Sequence, residues 1–146
     1  MEQPKQARGN PREQLLEKLR QFESAGEAVP RNRTPEERKV SLARLREATE
    51  QLRAHLALHL APKELAEWRD LPDSDAEIAA FGYELKMEHA DLQRELGDLL
   101  LDIDGYDRAL DREEAARQIR LQCMALATRA ARHAAGEQAE LGRYTA

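Results

Sequence analysis

The sequence contains few of the residues that favour β-strands. Valine and isoleucine together number five among the 146 residues, whereas alanine numbers 24 and leucine 21. Strands favour β-branched and aromatic side chains, while alanine, leucine, glutamate and arginine favour helices. The composition therefore argues against a β-sheet and predicts an all-α protein of one domain's length.

Cysteine and long apolar runs are also scarce. Cys123 is the only cysteine, so an internal disulfide is excluded and a reducing compartment is expected. No apolar run approaches the roughly 18 residues of a membrane-spanning helix, and residues 1–10 lack the apolar centre of a signal peptide. We therefore expect a cytoplasmic protein with no membrane partner.

The chain carries no excess of positive charge. Its 23 basic and 28 acidic residues sum to a net charge of −5, spread along the sequence. This balance argues against non-specific binding to nucleic acid. The sequence also lacks a glycine-rich phosphate loop and a Cys-x-x-Cys pair.

Four amphipathic segments are separated by residues that begin or end helices. Three predicted helix starts share a capping residue with a glutamate three positions later, namely Thr34 with Glu37, Ser74 with Glu77, and Asp111 with Glu114. The first helix is expected to begin at Pro11 and to stop at Gly26, and a break is expected at Pro62. These signals predict a flexible tail at residues 1–10 and a single domain at residues 11–142. The predicted fold is an antiparallel up-and-down four-helix bundle.

Each predicted helix has an apolar face that should line the core. The face of the second helix comprises Val40, Leu42, Leu45, Leu52, Leu56 and Leu60. The third helix is expected to end near Asp104 and Gly105 or to continue towards Leu110, and the last to run towards Gly142.

All four histidines lie on or near these apolar faces. His89 lies about 45° from the centre of its stripe, and His133 continues the stripe of the last helix. His55 and His59 are one turn apart on the second helix, and Glu137 follows His133 by one turn. Buried polar groups need partners, and interior His and Glu side chains from facing helices are typical of metal sites in bundles. We therefore predict a metal site with these five residues as candidate ligands.

Three segments around these histidines resemble hemerythrin-like (HHE cation-binding) domains. They are residues 52–64 (LRAHLALHLAPKE), 87–92 (MEHADL) and 132–137 (RHAAGE). The resemblance implies a four-helix bundle in which His89, His133 with Glu137, and His59 or His55 hold the metal. It implies iron, as one ion or a di-iron pair, with zinc or manganese as alternatives. The implied uses are metal storage and the binding or sensing of a diatomic gas such as O₂ or NO.

The same sequence allows two other interpretations. Glu95 and Asp98 resemble the Glu-x-x-Asp helix of MazG-like nucleoside triphosphate pyrophosphohydrolases, which would imply magnesium as cofactor. In the other interpretation the bundle binds no metal and interacts with another protein or with itself. The alanine-rich stretch at residues 125–135 permits close helix approach, which would suit an internal core or the seam of a homodimer equally well. Glu88, at the edge of its apolar stripe, is expected to pair with a neighbouring arginine, and Cys123 is expected to serve as core packing.

Overall fold

Four α-helices account for most of the structure, a computed structural model that describes residues 11–29, 34–60 and 76–145. In these ranges α1 spans Pro11–Ala28, α2 Pro35–Leu60, α3 Ala76–Asp104 and α4 Arg112–Thr145. A short 3₁₀ turn, Tyr106–Arg108, follows α3, and no strand occurs among the described residues. The predicted all-α four-helix class is confirmed. The predicted tail and the features expected at Pro62 and Ser74 lie outside the described residues.

The helices form a ring in which each packs against two others. Helix α1 packs on α2, α2 on α3, α3 on α4, and α4 on α1. Lys18 Nζ donates to Gln51 Oε1 at 3.0 Å, and Gly26 lies beside Leu45, so residue numbers rise along α1 as they fall along α2. The other contacts that reveal direction are Arg46 with Asp104 and Arg53 with Gln93 between α2 and α3, and Glu95 with Arg129 and His89 with His133 between α3 and α4. Neighbouring helices joined by these contacts run in opposite directions.

Leucine and alanine side chains build most of the core between the helices. Among the described residues, the largest fully buried hydrophobic side chains are Phe22, Val29, Leu45, Leu52, Leu92, Leu96, Leu99 and Cys123. On α4 the small residues Ala127, Ala130 and Ala134 are buried, so this part of the alanine-rich stretch packs inside the bundle. None of the described helices has a stretch long and apolar enough to cross a membrane.

The structure differs from two sequence predictions, the end of the first helix at Gly26 and the burial of Val40. Helix α1 continues past Gly26 to Ala28, and Val29 beyond it is fully buried. Val40 is 51% exposed, because it falls outside the arc of α2 that Leu42 and Leu45 bury against the bundle. The spacing of apolar residues therefore predicted which face of α2 is buried, but it did not predict how wide the buried face is.

The structure decides between the two ends that the sequence predicts for α3. Helix α3 ends at Asp104, as one of the two alternatives predicted, and Leu110 in the connection is fully exposed. Helix α4 extends to Thr145, slightly beyond the expected end.

The start of α2 has the complete capping box that the sequence predicts. Thr34 Oγ1 accepts the Glu37 amide at 3.1 Å, and Glu37 Oε1 accepts the Thr34 amide at 3.1 Å. At α4, Asp111 Oδ1 accepts the Glu114 amide at 3.1 Å, while the Glu114 carboxylate binds Arg117 and Gln118. The capping box of Asp111 and Glu114 is therefore only half formed, because Arg117 and Gln118 supply the hydrogen-bond donors for the Glu114 carboxylate.

Replacement of Thr34 by alanine should destabilise the bundle measurably. The change removes an acceptor for an amide that has no partner within the helix, at a typical cost of about 1 kcal/mol. In a domain of this size that lowers the melting temperature by roughly 2–4 °C. Thermal unfolding should show the loss in Thr34→Ala and little loss in Thr34→Ser, which retains the hydroxyl. Equal melting temperatures for all three proteins would contradict a stabilising cap.

Candidate metal centre

His89 on α3 and His133 on α4 face each other in the bundle interior. Both side chains are buried, their ring centroids are 4.1 Å apart, and the ring planes are inclined by 76°. The two Nε2 atoms are in direct contact. The prediction that both histidines point inward is confirmed. Two consecutive helices bring together imidazoles that are 44 positions apart in the sequence.

Glu88 contributes a carboxylate to this histidine pair. Its Oε1 contacts Nδ1 of His133, on the side of the ring opposite to His89. Glu88 thus meets an imidazole of the next helix where a neighbouring arginine was expected. The sequence of α3 alone carries no signal for this contact, because it depends on how α4 is rotated against α3.

His55 approaches the same level of the bundle from α2. Gln93 Nε2 donates to the Arg53 carbonyl at 2.9 Å, which aligns residue 53 of α2 with residue 93 of α3. His89 is one turn along α3 from Gln93, so the matching level on α2 is near residue 57. His55 lies two residues from that level, or about 3 Å along the helix axis. The His55 side chain is partly buried, and its Nε2 is buried without a hydrogen-bond partner in the described structure.

Two of the predicted ligands have side chains outside the described part of the structure. His59 follows His55 by one turn near the end of α2, and Glu137 follows His133 by one turn on α4. Their roles remain predictions. Among the side chains that are described, no group of three or more His, Cys, Asp or Glu residues has an arrangement that could hold a metal ion.

The facing imidazoles can be stabilised by a proton or by a metal ion. Two Nε2 lone pairs repel each other, and so do two N–H groups, so a metal-free pair needs one donor and one acceptor. A metal ion instead accepts lone pairs from both rings when each ring is neutral. A carboxylate at Nδ1 of His133 holds the ring proton away from Nε2, so the Nε2 lone pair can accept a proton from His89 or bind a metal ion.

Glu95 and Asp98, the carboxylates that the pyrophosphohydrolase interpretation assigns to magnesium, lie in different surroundings. Glu95 Oε2 accepts a hydrogen bond from Arg129 Nη1 at 2.5 Å, and this ion pair joins α3 to α4. Asp98 is exposed. The arginine therefore neutralises one of the two carboxylates that would have to bind magnesium.

Cys123 lies in the core and contributes nothing to the histidine pair. Its thiol is fully buried and donates to the Phe22 carbonyl at 3.4 Å. Burial raises the pKa of this thiol to about 12, and the nearby carboxylates of Glu23 and Glu27 act in the same direction. The expectation of a packing role is confirmed by the burial of Cys123 in the core, and a thiol with a raised pKa stays protonated near neutral pH.

The fold and the buried pair define a four-helix bundle with interior imidazoles contributed by different helices. Comparison of the chain with protein-family models, curated proteins and solved structures finds no match.

Proposed function

We propose that this protein binds a first-row transition-metal ion between α3 and α4, with His89 and His133 as ligands. The observation that carries the proposal is the contact between their Nε2 atoms in the buried interior. Imidazoles in such a position need a shared proton or a metal ion between them. The bundle interior, closed by leucine and alanine, would exclude water from the bound ion.

Further ligands for this site are available on α2 and α4. His55 supports the proposal, because its buried Nε2 lacks a partner in the described structure and lies near the level of His89. His59 and Glu137 remain candidates from their spacing along α2 and α4. Together these residues would supply imidazoles and one carboxylate, a donor set that suits iron, zinc or manganese. Iron is our first choice, as one ion or as a di-iron pair.

The use that we propose for the site follows from its enclosure and from the hemerythrin-like resemblance. A metal ion with fewer protein ligands than it can accept leaves a coordination position for a small molecule. In this bundle the occupant would be a diatomic gas such as O₂ or NO, which the protein would bind or sense. Storage of the metal is the alternative use of the same site.

Metal analysis of the purified, tag-free protein tests the proposal. We expect about one or two equivalents of iron or zinc in the wild type after anaerobic loading, and none in the His89→Ala/His133→Ala variant. A metal present at about 100 times its Kd should also stabilise the wild type by about 2.7 kcal/mol, which raises the melting temperature by roughly 5–10 °C. The double variant should show no such rise.

Glu95→Gln is the matched control for this experiment. It removes an ion pair between the same two helices, about two turns of α3 from the histidine pair, and should retain the metal. Circular dichroism of all three proteins in the absence of metal separates loss of ligands from loss of fold. A wild type that stays metal-free after loading with iron, zinc and manganese would refute the proposal. Assays of magnesium-dependent nucleotide hydrolysis and of self-association would then test the two alternatives.

A further inference from the structure

The contact between Glu88 and His133 joins an exposed side chain to a buried one, unlike an ordinary ion pair at the surface. The His133 side chain is 5% exposed, whereas that of Glu88 is 52% exposed. In the Glu95–Arg129 pair between the same helices, both side chains are partly exposed, at 35% and 41%. Glu88 therefore reaches from the surface of α3 to the outer nitrogen of a ring whose other nitrogen lies in the interior.

We propose that Glu88 is a positioning residue that holds His133 in the tautomer required for metal binding. The proposal rests on the metal-binding function proposed above. Glu88 acts through His133 and does not itself bind the ion. Consecutive residues of α3 would thus supply one ligand, His89, and the group that orients the second ligand on α4.

The direction of the hydrogen bond follows from the chemistry of the two groups. An ionised carboxylate has no proton to donate, so Nδ1–H of His133 is the donor and Glu88 Oε1 the acceptor. In the neutral ring the lone pair is then at Nε2, which faces Nε2 of His89. A carboxylate on the far nitrogen of a ligating histidine fixes the ring orientation and makes the ligating nitrogen more basic.

The state of the His133 ring can be measured without any metal. Long-range ¹H–¹⁵N correlation spectra distinguish a ring protonated at Nδ1 from one protonated at Nε2. We expect the Nδ1–H form of His133 in the metal-free wild type, and a shift towards the Nε2–H form in Glu88→Leu. Glu88→Gln should keep much of the Nδ1–H form, because its amide oxygen still accepts the hydrogen bond.

Metal affinity provides the second measurement, with zinc and cobalt(II) as probes. Loss of a carboxylate behind a ligating histidine typically weakens metal binding about 10- to 100-fold. We expect a weakening in that range for Glu88→Leu, a smaller one for Glu88→Gln, and an altered cobalt absorption spectrum for Glu88→Leu. Glu95→Gln should match the wild type in affinity and spectrum, although it removes a comparable link between α3 and α4.

The two measurements distinguish failure of this inference from failure of the proposed function. If the wild type binds zinc but Glu88→Leu keeps the Nδ1–H tautomer and the affinity of Glu95→Gln, the role of Glu88 is overturned and the metal site stands. If the wild type binds neither zinc nor cobalt and also stays free of iron and manganese after loading, the metal site fails and the positioning role fails with it. Loss of the Nδ1–H form together with weaker binding in Glu88→Leu, but not in Glu95→Gln, supports both.

Discussion

Replacement of Gly26 by valine is expected to lower the melting temperature of the protein by about 10 °C. Gly26 lies inside α1 where this helix crosses α4, and a Cβ atom built at this position would overlap Sγ and Cβ of Cys123. Cys123 is fully buried, so its side chain has little room to move. Overpacking of this kind typically costs about 1–3 kcal/mol, and a branched side chain should fall at the upper end.

A second glycine provides the matched control for this prediction. Gly136 lies inside α4, and a Cβ atom there would have no neighbour within 4 Å among the residues that the structure describes. Gly136→Ala should therefore stabilise the protein by about 0.5–1 kcal/mol through helix propensity alone, whereas Gly26→Ala should destabilise it. Chemical denaturation of the two variants should give shifts of opposite sign, and shifts of the same sign would contradict the close packing of α1 on α4.

Removal of the cysteine sulfur should relieve part of the strain at Gly26. In a Cys123→Ala background, Gly26→Val should cost less than in the wild type, because Sγ is the closest atom to the new side chain. We expect a coupling energy of about 1 kcal/mol or more in a double-mutant cycle. If the effects of the two substitutions on the free energy of unfolding are additive, the strain does not arise at the contact between residue 26 and Cys123.

Alkaline pH should destabilise the protein through Cys123. Burial raises the pKa of its thiol to about 12 from the ordinary value of 9.0, so the folded state retains the proton over an interval in which the unfolded state releases it. The stabilisation is fully present below about pH 9 and is lost as the pH rises through that interval. Each pH unit within it costs up to about 1.4 kcal/mol.

The pH effect can be measured by chemical denaturation at pH 8 and pH 10.5. The free energy of unfolding should fall by about 2 kcal/mol more in the wild type than in Cys123→Ala, in which lysine and tyrosine still titrate. Iodoacetamide should label Cys123 at pH 8 far more slowly in the folded protein than in denaturant. Equal labelling rates in the two states would show that the thiol is accessible.

The sequence predicted the helices because their signals are local. The Thr34 and Asp111 starts depend on residues within one turn, and the apolar periodicity depends on residues within a few turns. The inward orientation of His89 and His133 followed from the same periodicity. Position on a helix face is a property of one helix, and it can be read without knowledge of the neighbouring helices.

Gly26 shows where local signals fail. Glycine commonly follows the end of a helix, so the sequence predicted a stop. In the structure α1 continues, because packing against α4 stabilises the helix and the missing Cβ allows Cys123 to approach. A glycine can end a helix or lie inside one at a close contact with another helix. Only the position of α4 shows that Gly26 has the second role.

By itself, the sequence determined an all-α protein with four amphipathic helices, a packing role for Cys123, and His89 and His133 on inward faces. The tertiary structure decided which of the inward histidines meet, because the contact of their Nε2 atoms depends on the register and rotation of α3 against α4. It also decided that Glu88 binds His133, and that Glu95 binds Arg129. Contacts between helices depend on residues more than 30 positions apart, and no periodicity within one helix specifies them.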